Sequence, residues 1–424
     1  MLKPNSPIKT ASPLRVLFVS HAYVVGVNQG KLNAIAQRAA PSGSIASSGA
    51  KPIAQTNKAE VGLLAPSNWK ALEWNRLLPL ETPYPNIKTY SAPVLFTGRS
   101  GAHLYAPWKL AQVLNEFRPD VVQVEEEVFS LCAFELAIWS RLTSKPLVVF
   151  GWENMERRLP LPRHWVRQFV LSTAKLIIAG NRDGAELLRQ WGYTGLVEVM
   201  PQMGVDTQLF APNFHGGARR SPEQKNEEFH IGFLGRLVPE KGIDIIFAAV
   251  RQLQQQGLNC RIILCGSGSG EEVLRQEAQK QQIADLVTWQ GAVPHHKAPE
   301  QISKFDVLVL PSRTAATWKE QFGHVLIEAM AMGVPVIGSS SGEIPNVIGR
   351  PDLVFPEGDA QGLAAILERM IRDRQWCEET GRYGMTRVYQ HYTHERIAER
   401  LLNLWQKLLE PNNAAYAMRH EKLI

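Results

Sequence analysis

The chain has 424 residues, 45% of them hydrophobic and 20% charged, which supplies two or three cores of about 150 residues each and excludes wholesale disorder. Its formal net charge of +6 favours an anionic partner, whether nucleotide phosphate, anionic lipid or nucleic acid. The basic residues are dispersed, with no zinc-finger spacing and no aromatic RNP-like strand, which argues against nucleic acid. Cys132, Cys260, Cys265 and Cys377 stand far apart or inside apolar runs, so neither a disulfide framework nor a CxxC metal site is expected, and a reducing cytoplasm is. Residues 1–13 contain Lys3 and Lys9 but no apolar h-region, and no run of about 18 apolar residues occurs; neither secretion nor a membrane span is expected.

In chain order, Leu14 to Ser20 is an apolar run that passes through a loop with Gly26 and Gly30 into a helical pattern from Lys31, a β-loop-α opening. Residues 39–58, rich in Ser, Ala, Gly and Pro, read as a flexible insertion before the next run at Val61 to Ala65. Runs at Val121–Val124, Pro146–Phe150 and Lys175–Ala179 alternate with amphipathic stretches, the pattern of a parallel sheet with helices on both faces. A second set follows a polar break, with strands expected at His230–Leu234, Arg261–Cys265, Val287–Gln290, Val307–Leu310 and Val334–Ile337. The domain expectation is therefore 1–210, a linker at 211–228, a second domain at 229–385, and C-terminal helices at 386–424 packing back on the first. Two α/β sheets joined by a linker imply a cleft, with ligands at the carboxyl ends of the strands.

The most informative segment runs from Glu320 to Pro335, EQFGHVLIEAMAMGVP. A helix beginning near Gly323 would offer free backbone N–H groups to a phosphate. Glu320 would precede that helix and Glu328 lie within it, about 12 Å away by helical rise, comparable with the reach from ribose to hexose across a diphosphate. A carboxylate suits each sugar because it accepts two charge-assisted hydrogen bonds from vicinal hydroxyls. The diphosphate itself needs cations, and Arg236 and Lys241 in GRLVPEKG follow directly after an apolar strand. The competing reading of these two is solvated surface charge.

These motifs resemble the retaining glycosyltransferases of family 4, which have the GT-B fold. The resemblance rests on GRLVPEKG, on the E-x7-E of Glu320 and Glu328, on CGSGSG at Cys265 to Gly270 and on SGEIP at Ser341 to Pro345. It implies an α/β protein of two Rossmann-like domains whose parallel sheets face across a cleft. By the resemblance Arg236 and Lys241 neutralise the donor diphosphate, Glu320 binds the transferred sugar and Glu328 the ribose. The backbone at Phe322, Gly323, Val325 and Leu326 would touch sugar and phosphate, and Gly235, Gly266 and Gly268 would admit the nucleotide without a Cβ clash; a simple tight turn is the alternative for these glycines. It implies a nucleoside-diphosphate sugar as substrate, UDP-linked, with no metal and no other cofactor. Transfer retains the anomeric configuration by front-face displacement, in which the departing phosphate helps deprotonate the acceptor.

The N-terminal half carries the acceptor expectations. Where many relatives have a His, this chain reads Gln123-Val-Glu125-Glu126-Glu127, resembling a branch with an EEE motif. Three carboxylates at one strand end repel one another in a dry core, so at least one should face the cleft or a cation; a solvated loop is the alternative. Trp152-Glu153-Asn154 at the next strand end offers an aromatic face with polar neighbours, which suits a sugar ring. Gly30 and Lys31 are further acceptor candidates, although the GG-x-E of this fold is missing there. PQMGVD at Pro201 to Asp206 is expected to shape the hinge, His295-His296 a loop, and His103 a structural position. Arg157, Arg158, Arg163, His164, Trp165 and Arg167, with Leu159, Leu161, Val166 and Phe169, form either a basic amphipathic face for an anionic bilayer or an ordinary packed helix. The reading is a cytoplasmic hexosyltransferase, peripheral on the inner face of the plasma membrane, serving a glycan or lipid-linked acceptor in exopolysaccharide or envelope assembly. Its rivals are a nucleotide-sugar epimerase, a phosphorylase and a non-catalytic nucleotide-sugar-binding protein.

Overall fold

The computed structural model describes residues 13–38, 59–71, 76–212 and 228–410. The expected insertion at 39–58 and most of the expected linker, 213–227, lie outside these residues, as do 411–424.

Apolar, β-branched runs set the strands of the first domain: β1 (Leu14–Val19), β2 (Ala59–Pro66), the antiparallel pair β3 (Asn68–Ala71) and β4 (Arg76–Pro79), β5 (Lys88–Ala92), the antiparallel pair β6 (Val94–Leu95) and β7 (Leu104–Tyr105), then β8 (Val121–Glu125), β9 (Leu147–Gly151), β10 (Leu176–Ala179) and β11 (Leu196–Val199). Seven of them form a parallel sheet in the order β11-β10-β9-β8-β1-β2-β5. The helices are α1 (Gly30–Arg38), α2 (Pro107–Phe117), α3 (Leu131–Thr143), α4 (Leu161–Thr173) and α5 (Arg182–Gln190). Because side chains alternate across a strand, β1 feeds two cores. Leu17 and Val19 pack with residues of α2, α3 and α4, whereas Val16 and Phe18 pack with Leu32 and Ile35 of α1. Both faces are dry, which is why the strand reads as a continuous apolar run.

The second domain contains β12 (Phe229–Leu234), β13 (Cys260–Cys265), β14 (Val287–Gly291), β15 (Val307–Leu310), β16 (Val336–Ser339) and β17 (Val354–Phe355), parallel in the order β14-β13-β12-β15-β16-β17. Its helices are α6 (Ile243–Gln255), α7 (Glu271–Lys280), α8 (Ala298–Ile302), α9 (His324–Ala331), α10 (Ile344–Ile348), α11 (Ala360–Arg372) and α12 (Arg374–His391). A single apolar cluster joins sheet and helices. The last helix, α13 (His394–Leu409), crosses back and packs along α1. Thr393 caps its first turn by accepting from the Arg396 N–H at 3.2 Å, and Trp405 Nε1 donates to Gln123 Oε1 at 3.0 Å inside the first domain. The 201–206 segment meets the turn before α13: Val205 N–H donates to the Tyr392 carbonyl at 2.8 Å.

Three strands of the two parallel sheets have no counterpart among the expected runs, nor do the two short antiparallel pairs. β5 (KTYSA) and β11 (LVEV) are partly exposed edges, and β17 is only two residues long, so none presents a buried apolar stretch. The expected run Val334–Ile337 begins two residues later, at Val336, after Pro335, which has no N–H to give a ladder.

Each sheet changes direction of winding once, between β1 and β8 in the first domain and between β12 and β15 in the second. Crevices open at the carboxyl ends of strands at such reversals.

Candidate active site

In the second domain the loop leaving β12 carries Gly235 to Gly242, and the segment after β15 carries Ser312 to Glu320. They converge. Lys241 Nζ donates to Glu320 Oε2 at 2.6 Å, and Ser312 Oγ donates to the same oxygen at 2.8 Å. Lys241 also stands 5.0 Å from the centre of the Trp318 ring. A short 3-10 turn, Pro239–Lys241, aims the lysine, and it ends at Gly242, whose φ of 63° and contact with the Pro311 carbonyl leave no room for a side chain. Arg236 is exposed and makes no hydrogen bond or ion pair among the described residues. One cation is thus held on a carboxylate and a second is open to an anion.

Helix α9 begins at His324 with Gly323 as its N-cap, φ 82°, and no side chain caps it. Its first N–H groups are therefore available to an incoming acceptor atom, with the helix dipole behind them. Phe322 and Leu326 are buried in the core, which leaves only their backbone to face a ligand, while Val325 is partly exposed. Glu328, on the second turn, has Oε1 3.3 Å from His295 Nε2. The His295 imidazole is raised above its usual range by that hydrogen bond, against the opposing effect of burial. Gly342 and Glu343 of the SGEIP loop press on the Glu320 backbone, with Glu343 N–H donating to its carbonyl at 3.3 Å.

The glycines of the β13 loop are required by the packing of the protein itself. A Cβ on Gly266 would overlap the carbonyl oxygen of Gly235, and one on Gly268 would overlap that of Leu237. Leu237 N–H donates to Ser267 O at 3.0 Å, and Gly270 N–H to Leu237 O at 2.8 Å. The close approach that requires these glycines is between two loops of the protein.

The three glutamates of the first domain are all turned inward, so the solvated-loop alternative is excluded. Glu125 takes Lys31 Nζ at 2.5 Å, Gln123 Nε2 at 2.7 Å, Tyr23 Oη at 2.5 Å and Gln202 Nε2 at 3.0 Å. Burial holds the Lys31 ammonium below its usual range, offset by Glu125. Glu126 meets His21 Nδ1 at 2.6 Å and accepts from Ser20 Oγ at 3.2 Å. Glu127 is pushed up to about 7 by burial, opposed by the N–H groups of Trp152 at 2.7 Å and Glu153 at 3.1 Å. Three adjacent carboxylates coexist because one has a lysine, one an imidazole, and the third is neutralised readily.

The remaining acceptor candidates likewise make contacts within the protein. Lys31 is committed to Glu125, and a Cβ on Gly30 would overlap the His394 ring where α13 docks. The Trp152 ring packs on Phe150 at 5.1 Å and lies 5.9 Å from His324, with its Nε1 on Gln202 at 3.0 Å. Glu153 is buried and pairs with Arg157 at 2.5 Å. Asn154 Nδ2 donates to the Glu320 carbonyl at 3.3 Å, and Gln321 Nε2 to the Trp152 carbonyl at 3.1 Å. These residues join the two domains. Glu343 Oε2, accepting from the Arg182 N–H at the start of α5 at 2.8 Å, and the Lys319–Asp183 pair at 2.8 Å complete the joint. His21 is a residue that sequence reasoning missed: only the folded chain brings it to Glu126 and His103.

Two parallel Rossmann-like sheets presenting strand ends to a shared cleft define the GT-B class of glycosyltransferases. Comparison with known proteins agrees: the model of the family "Glycosyl transferases group 1" matches residues 217–387. The putative colanic acid biosynthesis glycosyltransferase WcaL of Salmonella typhimurium is 30% identical over 353 residues, 82% of this chain and 80% of WcaL. Among solved structures, sucrose-phosphate synthase of Thermosynechococcus elongatus superposes with a TM-score of 0.65 at 19% identity, covering 93% of this chain and 99% of that one. HepE of Anabaena, in complex with UDP, gives 0.63 at 19% identity over the same shares. The chain belongs to the group 1 glycosyltransferases.

Proposed function

We propose that this enzyme transfers a hexosyl group from a nucleoside-diphosphate sugar, with UDP as the nucleotide, to a glycan or lipid-linked acceptor, with retention of anomeric configuration. The observation that carries the reading is the Lys241–Glu320 pair at the β12/β15 reversal, beside the uncapped N-terminus of α9. In this reading the diphosphate lies over that helix end. Arg236 and Lys241 offset the charge that develops on the departing nucleoside diphosphate, a role that needs no metal. Glu320 orients the sugar and Glu328 holds the ribose. The leaving phosphate oxygen takes the proton of the acceptor hydroxyl as the new bond forms on the face it leaves.

WcaL's name places that relative in colanic acid biosynthesis, which supports exopolysaccharide or envelope glycan assembly as the setting, on the cytoplasmic side. No helix among the described residues is long and apolar enough to cross a membrane. Leu161 and Trp165 of α4 are 77% and 73% exposed, next along the chain to the exposed Arg157 and Arg158. We infer that this face rests on anionic lipid. Arg163 and Arg167 take no part in it: Arg163 binds the Phe129 carbonyl at 2.9 Å, and Arg167 is buried against the Trp191 ring at 4.4 Å.

The test of the reaction is to incubate the purified enzyme with UDP-glucose, UDP-galactose and GDP-mannose and a panel of lipid-linked and simple glycoside acceptors, and read the one-bond C1–H1 coupling at the product's anomeric centre. The expected product keeps the donor's α linkage. A β-linked product would contradict retention, and donor turnover to a free epimer without transfer would favour an epimerase.

A further inference from the structure

Ser20 and His21 leave β1, and Glu126 leaves its neighbour β8, so they meet at the winding reversal of the first sheet. His103 comes in from the residue before β7. His21 Nδ1 is 2.6 Å from Glu126 Oε1, His103 Nε2 is 3.7 Å from the same oxygen, and the three ligand atoms lie within 4.8 Å of one another. We propose that His21, His103 and Glu126 form a binding site for a divalent transition-metal ion of the zinc class.

The side chain of His103 carries the argument. It has no solvent exposure, and its Nδ1 lies 2.9 Å from the Ser100 carbonyl. A carbonyl can only accept, so Nδ1 bears the hydrogen and Nε2 presents its lone pair. That Nε2 is buried, has no hydrogen-bond partner, and faces Glu126. An orphaned buried nitrogen is costly, and a metal ion would satisfy it. A ring nitrogen anchored on a backbone carbonyl with the other free for metal is the usual outer support of a histidine ligand. Ser20 Oγ at 3.2 Å and the His21 N–H at 2.9 Å both donate to Glu126 Oε1 itself and hold that carboxylate in place.

Two imidazoles and a carboxylate make the donor set of an open zinc site and match magnesium or calcium poorly. The 2.6 Å contact between His21 and Glu126 encloses a proton. Metal binding replaces that proton, which leaves to solvent, and the two atoms separate to about 3.4 Å, the edge of a tetrahedron with bonds near 2.1 Å. The fourth position opens on the side of His21, the most exposed of the three at 25% of its side chain, where a water or a substrate hydroxyl could bind. Trp69, with its ring 4.4 Å from His21 and 5.2 Å from His103, walls the site. This inference does not depend on the donor assignment, since the residues lie in the other domain.

The experiment is a titration of the full chain, stripped with EDTA and transferred to metal-free buffer, with ZnCl2 by calorimetry and CoCl2 by visible absorption. The expected result is one equivalent bound with micromolar or tighter affinity, tetrahedral cobalt bands, and weakening below about pH 6 as the imidazoles protonate. His103→Ala and Glu126→Gln should each weaken binding by more than about tenfold, while His391→Ala, at an exposed histidine, should leave it unchanged. Absence of saturable binding by the wild-type chain would overturn the proposal without reference to any variant, and leave a His21–Glu126 ion pair alone. Binding that persists in a folded His103→Ala variant would overturn it as well.

Discussion

Arg236 and Lys241 stand five residues apart in one loop yet occupy different electrostatic situations. Lys241 rests on Glu320, whereas Arg236 is exposed without a partner among the described residues. Each Ala variant should lower turnover of the donor by roughly a hundredfold, the usual effect of removing one preorganised charge stabiliser. Their thermal stabilities should separate. Arg236→Ala should melt with the wild type, because nothing in the protein loses a partner, and Lys241→Ala should melt lower, because the largely buried Glu320 keeps only Ser312. Unchanged kinetics in both would place the phosphate site elsewhere. At this scale the sequence was informative about identity and silent about partners. Glu320 and Lys241 were both legible from their motifs, but a pairing across 79 positions was not. The run Glu125 to Glu127 showed only that repulsion had to be relieved; Lys31, His21 and the Trp152 N–H that relieve it come from remote segments.

Helix α9 was legible because Gly323 breaks the backbone just ahead of a sustained apolar pattern, and the helix begins at His324. The β13 loop was legible as a tight glycine turn, but the surface it approaches was not, since the carbonyls of Gly235 and Leu237 belong to a different strand end. The basic helix α4 shows the same division. Its periodic pattern indicated an amphipathic element, and only the fold shows which arginines are consumed internally, Arg163 on the Phe129 carbonyl at 2.9 Å and Arg167 against the Trp191 ring at 4.4 Å. The face left over is apolar at Leu161 and Trp165. Replacing Leu161 and Trp165 together by Ser should reduce sedimentation with phosphatidylglycerol vesicles at least roughly tenfold, since each buried side chain of this size is worth about 1.5 to 3 kcal/mol. Added salt should weaken the wild type further by screening Arg157 and Arg158. Equal sedimentation of variant and wild type would remove this face from the account.

Across the whole molecule, each domain places its polar residues where its sheet reverses winding, and the Trp152–Asn154 segment with Gln321, Lys319 and Glu343 ties the two strand-end surfaces together. The two-domain plan was visible in the rhythm of apolar runs. The interdomain joint was not, because its contacts are single hydrogen bonds between loops with no periodic signature. The account's central claim is that one nucleotide sugar lies along α9 with its ribose at Glu328 and its hexose at Glu320. Calorimetry with UDP tests this directly, in excess EDTA so that no metal contributes. Glu328→Ala should weaken UDP by roughly tenfold to a hundredfold, the worth of about 1.5 to 3 kcal/mol in charged hydrogen bonds. Glu320→Ala should bind UDP as well as the wild type or better, because Lys241 is released toward the diphosphate, yet it should lose transfer. Loss of UDP binding in Glu320→Ala with wild-type affinity in Glu328→Ala would contradict the orientation.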